Sequence, residues 1–180
     1  EEMADVTLSC DLETIKPGSS GWLLIEVKVD PWWHMYWKNA GQSGYPTTIQ
    51  WETDGVDSGP LQFPAPKAYE FLEIIIYVHE GEFVLLTRMT VDEDFDGEKL
   101  EVRGKLSTLI CNEENCIPYE TDLSLVIPLG VKNETRAEKS VLVANTKDHW
   151  PVQVPNDAKL SALLKGGAIT FQISHPLLSK

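Results

Sequence analysis

A chain of 180 residues with a formal charge of −13 and a pI near 4.6 repels the phosphate backbone of nucleic acids, whose recognition rests on clustered Lys and Arg. No stretch approaches the roughly 18 consecutive apolar residues of a membrane span, and the opening EEMADV lacks the basic and apolar regions of a signal peptide, so a soluble, mature or excised segment is expected. The length allows a domain with its own core, alone or with an appendage, and three cysteines leave at least one thiol unpaired.

The dominant period is two. From Asp5 to Thr14 the residues Val6, Leu8, Cys10, Leu12 and Thr14 alternate with Asp5, Thr7, Ser9, Asp11 and Glu13, as in a strand with one wet face. Cys10 falls on the apolar side and reads as a small buried hydrophobe. KPGSS, residues 16–20, is a turn, and Trp22 to Asp30 alternates again with Ile25, Val27 and Val29 inward. Residues 30–51 then concentrate Trp32, Trp33, Tyr36, Trp37 and Trp51, expected mainly in the core, with an exposed platform for glycan as the alternative. His34 within this run is read as structural, since no nucleophile motif or telling carboxylate spacing accompanies it. The Gly-rich stretch 38–46 is a surface loop.

Further along, Leu72–Val78 and Phe83–Val91 flank HEGE and predict a hairpin turning at Gly81. Leu100–Ile110 is the next strand, with Val102, Leu106 and Ile110 on one face, and Leu123, Leu125 and Ile127 mark another. Short strands, Gly/Pro turns and almost no helical period before residue 130 predict an all-β fold, an immunoglobulin-like antiparallel β-sandwich. Residues 131–150 predict a short helix through Ala137, Val141 and Ala144, packed against one end of the sandwich. After Pro151, Pro155 and the break at KGG, AITFQIS (168–174) predicts one more strand, so the tail carries a helix and a strand.

Cys111 and Cys116 bracket a four-residue loop, NEEN, between two predicted strands. Six residues fold back far enough to form a disulfide, and closing so small a loop stabilises the fold by only about 2 kcal/mol. Three readings stay open on spacing alone: a redox-active pair, an inert bridge, or free thiols or metal ligands. Glu113 and Glu114 beside the sulfurs disfavour thiolate, holding the reduced thiols at or above about 8.5. Zinc is the weakest reading, because His34, His79, His149 and His175 are scattered singly, and copper lacks a Met/His cluster.

Two segments together resemble a known family. WHMYWKNAGQSGYPT, from Trp33 to Thr47, followed by LICNEENCIP and LSLVIP, is similar to the N-terminal periplasmic domain of the DsbD/ScsB family of thiol:disulfide interchange proteins, over roughly residues 5–130. The resemblance implies that residues 1–130 form an immunoglobulin-like thiol-disulfide exchange domain, with 131–180 an extension that packs on the sandwich or starts a second module. It further implies a periplasmic setting in a Gram-negative bacterium, as part of an inner-membrane protein whose membrane and thioredoxin-like domains pass electrons to this one. Oxidised periplasmic proteins would be the clients, and the activity that of a protein-disulfide reductase without a cofactor. Carried onto matching positions, Cys111 and Cys116 are the redox pair, with Cys116, next to Ile117-Pro118, the sulfur that partners attack and Cys111 the resolving one. Members shield the pair with a loop that moves on docking, for which Lys38–Pro46 and Val56–Pro66 are candidates. The rival readings are a non-enzymatic module binding glycan or protein over a static bridge, and a copper-handling domain.

Overall fold

The computed structural model describes residues 3–71, 73–152 and 156–174. Contacts divide the chain into two compact units, Glu1–Trp150 and Pro151–Lys180. The first unit therefore takes in the predicted helix along with the strands before it.

In chain order the first unit begins β1 (Ala4–Cys10), β2 (Leu12–Thr14), β3 (Ser20–Val29), β4 (His34–Gly41), β5 (Thr48–Trp51) and β6 (Val56–Ser58). It continues β7 (Lys67–Phe71), β8 (Ile74–His79), β9 (Glu82–Val91), β10 (Lys99–Cys111), β11 (Cys116–Pro128), β12 (Glu134–Thr135) and the helix α1 (Ala137–Asp148). One antiparallel sheet has the order β1-β3-β9-β6; the other runs β11-β10-β4-β8-β7, with β5 also paired to β10. This is the all-β, immunoglobulin-like sandwich that the alternation predicts.

Period-two patterning explains how the sheets meet. Ile25, Val27, Val29 and Leu85 from the first sheet pack against Met35, Leu106, Ile110 and Leu123 from the second, with Phe63 between them. A second cluster joins Cys10, Leu23, Met89 and Val91 to Leu100, Val102 and Ile127. The predicted strand 5–14 is interrupted at Asp11, whose carboxylate accepts the Trp22 amide at 2.7 Å. β1 pairs with β3, while β2 pairs with β12.

Three expectations are corrected. The segments flanking HEGE do not form a hairpin: β8 belongs to the six-stranded sheet and β9 to the four-stranded one, so the turn at Gly81 carries the chain between sheets. Apolar residues on both sides of a turn signal two strands but do not fix that they pair, and the partner of β8 is instead β7, with Phe71 opposite Ile74. The helix forms, but its buried residues are Val143 and Thr146, while Val141 is 58% exposed and Ala137 and Ala144 also face solvent. It lies across the outer face of the four-stranded sheet, not at an end of the sandwich, covering Leu24 and Leu86. That cover accounts for the adjacent buried pairs Leu23-Leu24 and Leu85-Leu86, which a strand with one wet face would not carry.

The second unit holds the hairpin β13 (Lys159–Lys165) and β14 (Ala168–Ser174). β14 is the predicted tail strand, whereas β13 has no counterpart among the expected elements. Its turn places Gly166 and Gly167 at φ +60° and +81°, the left-handed pair that a tight two-residue hairpin requires. The register sets Leu160, Ala162 and Leu164 opposite Ile173, Phe171 and Ile169, so one face of the hairpin is apolar throughout.

Candidate disulfide centre

β10 and β11 pair from Lys99 opposite Pro128 to Cys111 opposite Cys116, so the cysteines are the terminal pair of the ladder. Their disulfide is closed, with an S–S distance of 2.01 Å and Cα atoms 4.1 Å apart. The connecting turn is held by Asn112, whose side-chain oxygen accepts the amides of Glu114 and Asn115 at 2.9 and 2.8 Å. Its own amide donates to the Asn115 carbonyl at 2.9 Å. An Asn at the first turn position supplies these bonds because its short side chain mimics a backbone carbonyl.

The two sulfurs differ in environment. Cys111 is 1% exposed, packed with Tyr36, Ala40, Ile76 and Val78 on the outer face of the six-stranded sheet, away from the sandwich core. Cys116 is exposed. Nucleophilic attack on a disulfide needs access to one of its sulfurs, and Cys116 is the exposed residue of this pair.

β4 supplies the wall beside Cys111. The β4–β10 ladder consists of Met35 opposite Ile110 and His34 opposite Cys111. Met35 and Ile110 point into the core, so alternation sends His34 and Tyr36 to the side of the sulfurs. The His34 ring is 7% exposed and lies 5.6 Å from the rings of both Tyr36 and Tyr69, edge-on to the former. Burial holds its imidazole below the ordinary histidine pKa, opposed by the carboxylate of Glu80. Its Nε2 is buried without a hydrogen-bond partner among the described residues.

These groups line an open cleft of about 390 Å³, floored by Cys111, His34 and Tyr36 and rimmed by Ser43, Tyr69 and Ile74. Of the two expected shielding loops, Lys38–Pro46 reaches the cleft: Gly44, at φ +97°, packs so closely on Tyr36 that a Cβ there would lie 2.2 Å from the ring. Val56–Pro66 contributes nothing to it, since β6 pairs with β9 in the other sheet and Gln62 bridges to Leu86. The β7–β8 hairpin, which supplies Tyr69, Ile74 and Ile76, was missed as a wall of the site. Its signal was the run Ile74-Ile75-Ile76, apolar on both faces of a strand that lies between β4 and β7, where an independent β8–β9 hairpin would have had one polar side.

The aromatic run divides. Trp33, Trp37 and Trp51 pack on the core, while Trp32, at φ +73°, is 92% exposed and stands apart from them. Cys10 is 1% exposed in the core and its sulfur accepts the Leu12 amide at 3.4 Å; burial chiefly pushes its thiol up to about 12. It takes no part in the cleft. Among the described residues no group of three or more His, Cys, Asp or Glu is placed to hold a metal ion, and no helix is long and apolar enough to cross a membrane.

Residues 7–128 match the family described as thiol:disulfide interchange protein DsbD, N-terminal. Among solved structures, the N-terminal periplasmic domain of ScsB from Proteus mirabilis superimposes with a TM-score of 0.73 at 19% identity, over 98% of this chain and 66% of that one. The chain thus spans about two thirds of the length of that domain. The N-terminal domain of DsbD from Neisseria meningitidis, in its reduced form, gives a TM-score of 0.40 at 17% identity over 72% of this chain and 89% of that one. Among curated proteins none matches.

Proposed function

The chain belongs to the family of N-terminal domains of the thiol:disulfide interchange protein DsbD, and from that premise we propose that it relays electrons in the periplasm through a reversible Cys111–Cys116 disulfide. The observation that carries the reading is the asymmetry of the bridge, one sulfur exposed and the other buried at the end of a single ladder. A partner thiolate attacks Cys116, forming a mixed disulfide and releasing Cys111 as the leaving thiolate. The partner's second thiol then attacks the partner sulfur of that mixed disulfide, and the domain departs with both cysteines reduced. In the second half-cycle the Cys116 thiolate attacks a client disulfide, Cys111 attacks Cys116 to expel the client, and the bridge closes again. Two electrons and two protons have passed from partner to client, and the domain is unchanged.

The electron donor in this reading is a thioredoxin-like domain of the same full-length protein, itself supplied by a membrane domain, and the clients are oxidised periplasmic proteins. The full-length protein would act as a protein-disulfide reductase, with this domain as its exchange module. Because the turn sits at the end of an otherwise complete sandwich, opening the bridge leaves the remaining ladder intact. Trapping tests the assignment. Expressed in an exporting bacterium, Cys111→Ser should accumulate disulfide-linked adducts on non-reducing gels, released by dithiothreitol and mapped to Cys116. A variant that stays free of adducts, or forms them through Cys10, would contradict it.

A further inference from the structure

Exchange at this centre has a proton problem that the exposed sulfur does not share. When Cys111 closes the bridge it must lose a proton, and when the bridge is opened at Cys116 it leaves as a thiolate that must gain one. At 1% exposure it has almost no water to use, and the acidic turn beside it makes thiolate less favourable still. Something buried has to carry that proton.

We propose that His34 is the proton acceptor and donor for Cys111, an inference that rests on the relay reading above. Directly opposite residues of an antiparallel ladder hold their Cβ atoms about 4.5–5.5 Å apart on one face, and His34 is opposite Cys111. The ring lines the same cleft as both sulfurs. It is more than nine-tenths buried, and its Nε2 has no hydrogen-bond partner among the described residues, a state it shares with His79 Nε2 and three buried indole nitrogens. What separates His34 from those other nitrogens is its place, opposite Cys111 in the ladder and in the lining of the cleft that holds both sulfurs, so an unengaged ring nitrogen there is available for proton exchange with the reacting group. Burial favours the neutral imidazole, which is the form that accepts a proton.

The charged groups around it fit this role. Glu80 faces the ring from the turn after β8 and is ion-paired with Lys67 of β7 at 2.7 Å. Glu113 and Glu114 approach from the β10–β11 turn, and Lys28, Asp30 and Glu82 stand at the outer rim of the neighbouring cleft. Tyr36 and Tyr69 flank the ring, and burial raises the Tyr36 phenol, leaving it protonated near neutral pH. Glu80 is the charge that acts on the imidazole, and it stabilises the imidazolium once formed.

The step balances. In bridge closure the Cys111 S–H proton passes to His34 as Cys111 sulfur attacks Cys116, the Cys116–client S–S bond breaks, and the client sulfur leaves with the electron pair. His34 returns the proton to that thiolate or to water. Cys111 and Cys116 are oxidised by two electrons together, and the client disulfide is reduced. Bridge opening runs the same path backwards, with imidazolium protonating the departing Cys111.

Oxidised glutathione serves as the probe. Reduced protein forms a Cys116–glutathione mixed disulfide that Cys111 resolves, and acid quenching with mass spectrometry follows both species. In His34→Gln and His34→Phe the mixed disulfide should accumulate because resolution slows by about a hundredfold, the lower end of general acid–base effects. Its formation, measured in a Cys111→Ser background, should not change with either substitution. The wild-type resolution rate should be flat from about pH 8 down to the ordinary histidine range and fall only below it. Resolution as fast in the variants as in wild type, or both steps slowed equally, would overturn the role of His34. Should neither variant fold, a wild-type rate rising in proportion to hydroxide across about pH 5–8 would overturn it by itself, and a plateau would support it. Failure of Cys116 in Cys111→Ser to take up glutathione at all would instead remove the relay reading beneath.

Discussion

The three cysteines show how little of a sulfur's chemistry is set by its identity. Cys10 sits in hydrocarbon, its thiol pushed up to about 12, and is inert near neutral pH. Cys111 is equally buried but bonded, and Cys116 alone meets solvent. The place of Cys10 was legible, because it falls on the apolar phase of an alternating strand. The neighbourhood of Cys111 was not, because His34 reaches it through a ladder only two residues long between segments far apart in sequence. A second buried histidine makes a prediction of its own. His79 stacks between Phe63 and Phe83, and burial lowers its imidazole from 6.5 to about 4. The unfolded chain therefore binds a proton that the folded one refuses. Stability from this group is full above about pH 6.5 and is lost as pH falls from there towards 4, by up to about 3 kcal/mol. Glu26, whose carboxyl is held low by hydrogen bonds from Lys139 and Ser9 against the opposing cost of burial, adds a loss of the same sign in the more acidic range. Urea midpoints of wild type should fall steeply between about pH 6.5 and 4.5, and His79→Phe should flatten that slope. An equal slope in the variant would show that the acid sensitivity arises elsewhere.

At the scale of elements, period-two alternation located the span of β3 and β10 well and the second half of β11, through Leu123, Leu125 and Ile127. It failed where a second layer covers the other face. β3 reads as an ordinary half-buried strand, although α1 buries Leu24 of β3 and Leu86 of β9 from outside. The apolar spacing of α1 itself misled, because Thr146 is buried with its hydroxyl donating to the Leu142 carbonyl at 2.8 Å, a polar residue masked as a solvent-facing one. The β10 strand also carries a packing constraint that only the register discloses. Gly104 lies opposite Trp51 of β5, and a Cβ there would sit 2.6 Å from the indole. Gly104→Ala should cost about 1–3 kcal/mol through displaced packing, read as a lower urea midpoint at unchanged slope. An unchanged midpoint would mean that Trp51 shifts aside freely.

For the whole molecule, fold class and family were both legible, the first from alternation between Gly/Pro turns and the second from two uncommon motifs in the right order. The structure adds why they belong together: WHMYW supplies His34 and Tyr36 on one face of β4, and CNEENC supplies the sulfurs beside them. What the sequence left open was whether the pair is bonded for stability or for exchange. Closure of so short a loop contributes little to folding, and the bond lies at a ladder terminus with its inner sulfur against a cleft. The reduction potential of the Cys111–Cys116 couple decides most directly between the two. Equilibrated in glutathione or dithiothreitol buffers and read by thiol alkylation, a relay should titrate reversibly within roughly −180 to −270 mV, in reach of thioredoxin-like partners. A bridge still oxidised below about −300 mV would be a structural staple, and electron relay through Cys111 and Cys116 would be contradicted.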